Sequence, residues 1–449
     1  MNFEHIKNIH FVGIGGIGMS GIAEILADRG IKVSGCDLRP SAATDLLAGR
    51  GIPVVMGHDA AHLEGVDLVV VTSAVRGANV EVDAARARRI PVMKRKEILG
   101  QLVSSKRGVG VSGTHGKTTT SAMIAVILEE AGLDPTIIIG GMLRNIGSNA
   151  KSGKGDLAVI EADEYDRSFH ELHPEVAVVT NIEADHLEYY GTFDAIAESF
   201  RVFVEGIKPG GSVVGCIDDP AVVKLLAGID KKIIRYGLSN SADVRGINIT
   251  FDERGSRFEV PGIGWFRLFV PGEHNVRNAL AAIAVARELG ISAAAITTGL
   301  AKFLGVDRRF QLLGKFGGAL IVDDYAHHPT EIRATLSAAR AGYPRRRIVA
   351  LFQPHLYSRT RDFAREFGEA LAVADVALVS RIYAAREQPI EGISSQLIAD
   401  AVERVEFIKG SNDDIVAEMR QRLKPNDLFI TLGAGDVHEI SEALAGANV

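Results

Sequence analysis

Nine consecutive residues, Ser112-Gly113-Thr114-His115-Gly116-Lys117-Thr118-Thr119-Thr120, have the types and order needed to hold a triphosphate. Glycines let backbone N–H groups close around phosphate oxygens, and a helix N-terminus adds positive potential. Lys117 supplies a mobile charge for the outer phosphates, and the Thr118 hydroxyl can face Mg²⁺. The usual loop reads G-x-x-x-x-G-K-[ST]; here Val111 stands five residues before Gly116, so only the shorter G-x-x-G-K-T-T core is present. An apolar, β-prone run at 109–111 precedes the loop and a helix-forming run follows it, which is the strand, loop and helix order that phosphate binding requires.

Two acidic clusters follow. Glu161-Ala162-Asp163-Glu164-Tyr165-Asp166 comes after the apolar run 157–160, and Thr180-Asn181-Ile182-Glu183-Ala184-Asp185-His186 ends a second run that begins at Val176. A carboxylate leaving a strand tip beside a phosphate loop is where a Mg²⁺ ligand belongs, and Glu161 leaves first. His186, among acids, adds a nitrogen donor. A second glycine run, Gly13-Ile14-Gly15-Gly16-Ile17-Gly18, stands between a short strand and a helix, with Asp37 nineteen residues beyond Gly18. That pattern suits a diphosphate on a helix N-terminus and a carboxylate on a ribose, in a UDP-linked substrate as well as in NAD.

The elements that must position these residues alternate along the chain. Strands are expected at 9–12, 32–36 and 67–72, with helices at 18–29, 41–50 and 79–88 between them, so parallel sheets covered by helices are predicted. A helix over 94–105 ends in a polar hinge at 104–108. Strands follow at 157–160 and 176–180, then a helix at 193–206. From about 243 to 270 the alternation shortens to hairpin-like strands, which predicts an antiparallel flap. A helix at 275–289 and a polar elbow at 305–310 lead to strands at 319–323, 347–352, 373–379 and 427–432. With 449 residues, about three domains of roughly 150 each are expected. The composition, 47% apolar and 24% charged, is that of a soluble globular chain, and a net charge of −6 offers no bulk attraction to nucleic acid. Cys36 and Cys216 have neither zinc-knuckle nor disulfide-framework spacing, and no 18-residue apolar run occurs. A cytoplasmic protein with no nucleic-acid or membrane partner is expected.

Taken together, the residues resemble the Mur ligases. The resemblance is carried by 13–21, 113–120, 161–164 and 180–186, by His274-Asn275-Val276-Arg277-Asn278-Ala279, by Arg308-Arg309-Phe310, by 323–331 (Asp-Asp-Tyr-Ala-His-His-Pro-Thr-Glu) and by 352–360 (Phe-Gln-Pro-His-Leu-Tyr-Ser-Arg-Thr). It covers nearly the whole chain. It implies an α/β protein of three domains. Residues 1–107 would form a Rossmann-like domain for the UDP-sugar and 108–313 a P-loop ATPase-like domain with a small antiparallel flap. Residues 314–449 would form a Rossmann-like domain for the incoming amino acid. The branch most resembled joins L-alanine to UDP-N-acetylmuramate with ATP and Mg²⁺, as a monomer or weak homodimer.

By position, the resemblance implies that ATP meets Gly113, Thr114, His115, Gly116, Lys117, Thr118, Thr119, Asn275, Asn278 and Asp324. The UDP-sugar meets Gly15, Gly16, Ile17, Gly18, Asp37 and Ser73. Thr118, Glu161 and His186 would hold metal, and Tyr325, His327, His355 and Arg359 would line the amino-acid pocket. Lys117, His186, His327 and Arg359 are the residues expected in the chemistry itself. ATP would convert a poorly electrophilic carboxylate into an acyl phosphate, which the amine attacks; water exclusion would come from closure about hinges at 105–108 and 305–314.

Three positions depart from the family pattern. Leu356 stands where some members carry arginine, which places more of the carboxylate binding on Arg359, and Glu273 replaces a basic residue of some relatives. Later-acting members use a carbamylated lysine about sixteen residues after the aspartate-histidine pair, where this chain has Ser199-Phe200-Arg201. An NAD-dependent oxidoreductase, a nucleotide-switched binding protein and the tripeptide-adding branch of the same family are the competing readings.

Overall fold

The computed structural model of the chain describes residues 5–72, 75, 77–385 and 387–446. The chain divides into two compact units, one of Met1–Ile247, Val260–Gly264 and Arg277–Leu304, the other of Asn248–Glu259, Trp265–Val276 and Gly305–Val449.

The first unit holds two sheets. Five parallel strands lie in the spatial order Val54–Met56, Lys32–Asp37, Asn8–Val12, Leu68–Val71, Val92–Lys94. Along Asn8–Val12, Ile9 and Phe11 face a large core shared with helix Ile17–Asp28, while Val12 joins Cys36, Leu63, Val69 and Ala85 in a smaller cluster on the other face. The eight-stranded sheet has the order Val244–Arg245, Lys232–Gly237, Ser212–Cys216, Val176–Val179, Arg107–Ser112, Leu157–Glu161, Thr136–Leu143, Ser148–Lys151. Arg107–Ser112 is central and nearly all buried, and its neighbours pair in parallel with Val179 opposite Ser112 and Glu161 opposite Val111. The carboxyl ends of three strands therefore meet where the phosphate-loop sequence begins.

A three-stranded sheet, Ile247–Asp252, Gly255–Val260 and Gly264–Leu268, supplies the expected flap, but it starts later than the sequence suggested. Val244–Arg245 instead extends the eight-stranded sheet, because the Asp243 N–H donates to the Arg235 carbonyl and the Asp243 carboxylate accepts from the Arg235 N–H at 2.8 Å. The polar hinge expected at 104–108 is also short. Helix Arg95–Ser104 and strand Arg107–Ser112 leave only Ser105 and Lys106 between them.

The second unit carries a six-stranded sheet in the order Gln311–Phe316, Ala319–Asp324, Asp427–Leu432, Arg347–Phe352, Val376–Val379, Val405–Phe407. Only its first strand is antiparallel. The turn that reverses it is Gly317-Gly318, both at positive φ (55° and 89°), the backbone that a two-residue hairpin loop needs. Among the described residues no helix is long and apolar enough to cross a membrane.

Candidate active site

Strand Arg107–Ser112 runs into the phosphate loop and helix Lys117–Glu130 leaves it. Gly113 (φ 138°) and Gly116 (φ 82°) adopt backbone that side chains disfavour, and a Cβ on Gly116 would come within 2.6 Å of Asn278 Oδ1. The loop is fastened from the neighbouring strand end. The Asn181 side chain accepts from the His115 N–H at 2.8 Å, the Thr180 hydroxyl donates to the His115 carbonyl at 2.6 Å, and the Glu183 N–H donates to the Thr114 hydroxyl at 2.8 Å. Thr118, Thr119 and Thr120 are buried in the first turn of the helix, where Thr120 donates to Asn278 Oδ1 at 3.2 Å. The expected nucleotide residue Asn278 is thus brought to the loop. Asn275 lies one turn earlier on helix Glu273–Glu288, its amide donating to the Pro271 carbonyl.

Lys117 folds back over this loop. Its ammonium donates to the Gly113 carbonyl at 2.6 Å, the Thr114 carbonyl at 3.1 Å and the Glu164 carboxylate at 2.8 Å. Burial disfavours the charge, but attraction to Glu164, Asp163 and Glu161 outweighs it and raises the pKa. Glu161 ends strand Leu157–Glu161, where its carboxylate accepts from the Gly140 N–H at 2.7 Å. Carboxylate and hydroxyl oxygens at the carboxyl end of a parallel sheet, next to the N-terminus of helix Lys117–Glu130, are what Mg²⁺ and phosphate require.

His186 sits at positive φ (57°) as the N-cap of the short helix Leu187–Tyr190, its ring edge-on to Tyr165 at 5.0 Å between centroids. Ser199 is buried on helix Phe193–Glu205 and bonded to the Tyr190 hydroxyl at 3.1 Å and to His170 Nε2 at 2.9 Å, while Arg201 turns toward Glu198, Glu205 and the Gly228 carbonyl.

Gly15, Gly16 and Asp37 line a cavity of about 550 Å³ together with Gly13, Thr72, His58 and Asn79. Asp37 anchors the glycine loop itself, accepting from the Gly15 N–H at 2.8 Å and from the Leu38 N–H at 2.7 Å. Ile17 opens the following helix with its side chain exposed, and Gly18 lies under the Arg95 guanidinium. Ser73 lies outside the described residues.

In the second unit, strand Ala319–Asp324 ends in buried Asp324, whose carboxylate accepts from the N–H groups of Phe310 (2.7 Å) and Ala326 (2.8 Å). Burial pushes its pKa up to about 6, against the pull of Arg309 and of these bonds. Tyr325, His327 and His355 form a chain of edge-on rings at 5.4 and 5.8 Å, and His355 stacks on Tyr383 at 6.0 Å. The guanidinium groups of Arg308 and Arg309 lie over Tyr325 at 4.9 and 5.3 Å. Arg359 is half-buried in the first turn of helix Tyr357–Leu371. Leu356, the N-cap, is held at φ 71°, a strained backbone for a branched side chain beside a candidate pocket.

The sequence placed Glu164, Asn181 and Arg308 within motifs without giving them a role, and it did not single out Tyr383. Glu164 carried a readable signal, since a lysine buried in a phosphate loop must have an acid within reach and 161–166 offers four. Asn181 and Tyr383 become visible only when strand ends are placed side by side.

Family models match almost end to end: "Mur ligase family, catalytic domain" over 8–107, "Mur ligase middle domain" over 111–286 and "Mur ligase, glutamate ligase domain" over 308–435. The chain is 45% identical to a UDP-N-acetylmuramate–L-alanine ligase of Salinibacter ruber over 98% of its own length and 94% of the relative's. It is 46% identical to one of Trichlorobacter lovleyi over 98% and 99%. Among solved structures, the UDP-N-acetylmuramate-alanine ligase MurC of Thermotoga maritima superposes with TM-score 0.85 at 30% identity, covering 99% of each chain. A murein peptide ligase of Psychrobacter arcticus superposes with TM-score 0.73 at 27% identity, covering 98% of each. With its glycine-strained loop, its buried lysine and acids at adjacent strand tips, and relatives matched along its whole length, this chain belongs to the Mur ligase family.

Proposed function

We propose that this protein joins L-alanine to the carboxylate of UDP-N-acetylmuramate at the expense of ATP, an early step in making the peptidoglycan precursor. The observation that carries the reading is the Lys117 site: a buried ammonium, loop N–H groups and the Glu161 carboxylate converge at one sheet end, in a chain alignable over 98% of its length with alanine-adding relatives. Residues 1–107 take the UDP-sugar, 108–313 ATP and 314–449 the amino acid. Both cysteines are reduced and buried, in keeping with a cytoplasmic enzyme, which we take to be a monomer or weak homodimer.

ATP transfers its terminal phosphoryl group to a carboxylate oxygen of the sugar nucleotide, releasing ADP. The alanine amine then attacks the acyl carbon, loses a proton, and expels inorganic phosphate as the amide forms. Gly113, Thr114, His115, Gly116, Thr118 and Thr119 wrap the phosphates, with first-turn N–H groups donating while Asn181 holds the Thr114 and His115 N–H groups in place, and Asn275 and Asn278 flank the nucleotide. Lys117 exchanges its carbonyl and Glu164 partners for phosphate oxygens, placing positive charge where negative charge develops. Thr118, Glu161 and His186 are the residues that would hold Mg²⁺, which supplies charge neutralisation of the phosphates when bound. Gly15, Gly16, Ile17, Gly18, Asp37 and Ser73 bind the diphosphate and ribose. Asp324 meets the nucleotide from the last domain, and Tyr325, His327 and His355 shape the amino-acid pocket while Arg359 pairs with the alanine carboxylate.

ADP release with UDP-N-acetylmuramate tests the reading when L-alanine, L-serine, glycine and a tripeptide are compared. Release that depends on both the sugar nucleotide and L-alanine is expected. Release with the tripeptide alone would move the protein to the peptide-adding branch.

A further inference from the structure

Five side chains that the ligase reaction leaves unused meet on one face of the five-stranded sheet. His10 and Cys36 stand on adjacent parallel strands whose register pairs Val12 with Cys36, so both point to the same side. His58 and His62 come from the loop and the short 3-10 turn Ala60–Leu63, and Glu81 from the first turn of helix Val80–Ala87, fixed there by the Asn79 cap. The fully buried Glu81 carboxylate lies 2.9 Å from Cys36 Sγ, 2.8 Å from His58 Nδ1, 2.7 Å from His62 Nδ1 and 3.4 Å from His10 Nε2. The donor atoms of His10, Cys36, His62 and Glu81 are all within 4.8 Å of one another.

His10 gives the strongest sign. The side chain is 1% exposed and its Nδ1 is bonded to the Ser34 hydroxyl at 2.9 Å, while its Nε2, aimed into the cluster, meets the Glu81 carboxylate only at 3.4 Å, short of a well-formed hydrogen bond. A histidine fixed through one nitrogen by a neighbouring hydroxyl, with the other presented to a thiol, an imidazole and a carboxylate, has the outer-shell arrangement of a metal ligand. A tetrahedral ion with bonds of about 2.0 to 2.3 Å spaces its donors roughly 3.3 to 3.8 Å apart; the Glu81 contacts to His62 and Cys36, at 2.7 and 2.9 Å, widen from hydrogen-bond to ligand spacing to admit it.

We propose that His10 Nε2, Cys36 Sγ, His62 Nδ1 and a Glu81 oxygen form a binding site for a thiophilic divalent transition ion of the zinc class, with His58 beside them. A mixed sulfur and nitrogen donor set selects such an ion over Mg²⁺. Cys36 gives up its thiol proton on binding, so the ion enters with release of a proton. His62 and His58, whose side chains are 19% and 21% exposed, are the solvent-facing side of the cluster. His58 also lines the cavity of the glycine loop, so an ion here stiffens one wall of the sugar-nucleotide pocket.

The test uses chelator-stripped full-length protein in millimolar Mg²⁺, which keeps the oxygen ligands of the phosphate loop supplied. One Zn²⁺ per chain is expected, and Co²⁺ in its place is expected to give a near-ultraviolet thiolate-to-cobalt charge-transfer band. Cys36→Ser and His10→Gln each weaken Zn²⁺ binding roughly tenfold or more, and Cys36→Ser abolishes the band, whereas Cys216→Ser keeps it. A cobalt adduct of the unmodified protein without a thiolate band, or Zn²⁺ binding unchanged in the variants, overturns the proposal and leaves a hydrogen-bond network only. If Cys36→Ser does not fold, the spectra of the unmodified and Cys216→Ser proteins decide.

Discussion

The Lys117 ammonium and the Glu164 carboxylate form a buried ion pair 2.8 Å long, with side-chain exposures of 14% and 5%. Removing one partner of such a pair strands the other charge, a loss of about 3 to 5 kcal/mol. Glu164→Gln is therefore expected to lower the melting temperature of the ligand-free protein. A non-hydrolysable ATP analogue should recover much of the loss, because phosphate oxygens replace the missing acid. Lys117→Ala strands Glu164 in turn, so it too should melt lower, and it should in addition lose turnover by orders of magnitude, which the analogue cannot restore. Equal destabilisation of Glu164→Gln with and without the analogue would show that Lys117 does not move to the nucleotide.

Asp324 gives a pH dependence whose sign is fixed by its burial. Its carboxyl titrates at about 6 in the folded chain and at about 3.9 when unfolded. The native state therefore binds the extra proton between those values. The stability this brings is full below the unfolded value and is lost as pH rises through the folded one. Asp324→Asn, which cannot ionise, should gain on the unmodified protein between pH ~4 and ~7, by about 3 kcal/mol beyond any constant cost. Melting temperatures of the two proteins that keep a fixed separation over that range would contradict it.

Arg359→Ala should raise the KM for L-alanine far more than that for ATP or the sugar nucleotide. A guanidinium paired with a carboxylate contributes about 1.5 to 3 kcal/mol, which is roughly ten- to 150-fold in KM. Steady-state kinetics on all three substrates separates the cases, and equal rises in all three KM values would make Arg359 a structural residue.

Much of the architecture was legible where burial on both faces forces continuous apolar runs. Strands Arg347–Phe352 and Asp427–Leu432 begin and end where their sequences predict. The phosphate loop was legible because glycine, lysine and threonine must come in fixed order. Edges were harder to read. Gln311–Phe316 mixes exposed Leu312 with Gly314 at a register shift, so it shows neither alternation nor a run. That an acid meets Lys117 was readable, but which of the four was not, since Glu161 and Glu164 differ only in how the chain turns after the strand. The His10, Cys36 and Glu81 cluster joins residues far apart in the chain and exists only through sheet register, so cysteine spacing could not reveal it.

By the resemblance, Ser199-Phe200-Arg201 stand in the register where later-acting relatives use a carbamylated lysine; Ser199 is committed to Tyr190 and His170, and Arg201 to Glu198, Glu205 and the Gly228 carbonyl. Turnover is thus expected to be the same in CO₂-depleted buffer with and without bicarbonate, while His186→Ala raises the Mg²⁺ concentration needed for half-maximal rate. A reproducible rescue by bicarbonate would mean that another lysine is carbamylated and that His186 is wrongly assigned.

The most direct measurement follows oxygen from the substrate carboxylate. UDP-N-acetylmuramate labelled with oxygen-18 in its carboxylate, turned over with ATP and L-alanine, should yield inorganic phosphate carrying one labelled oxygen, because that atom bridges the acyl carbon and phosphorus before the amine displaces it. Unlabelled phosphate from a reaction that still forms the alanine amide would contradict an acyl-phosphate ligation at the Lys117 site.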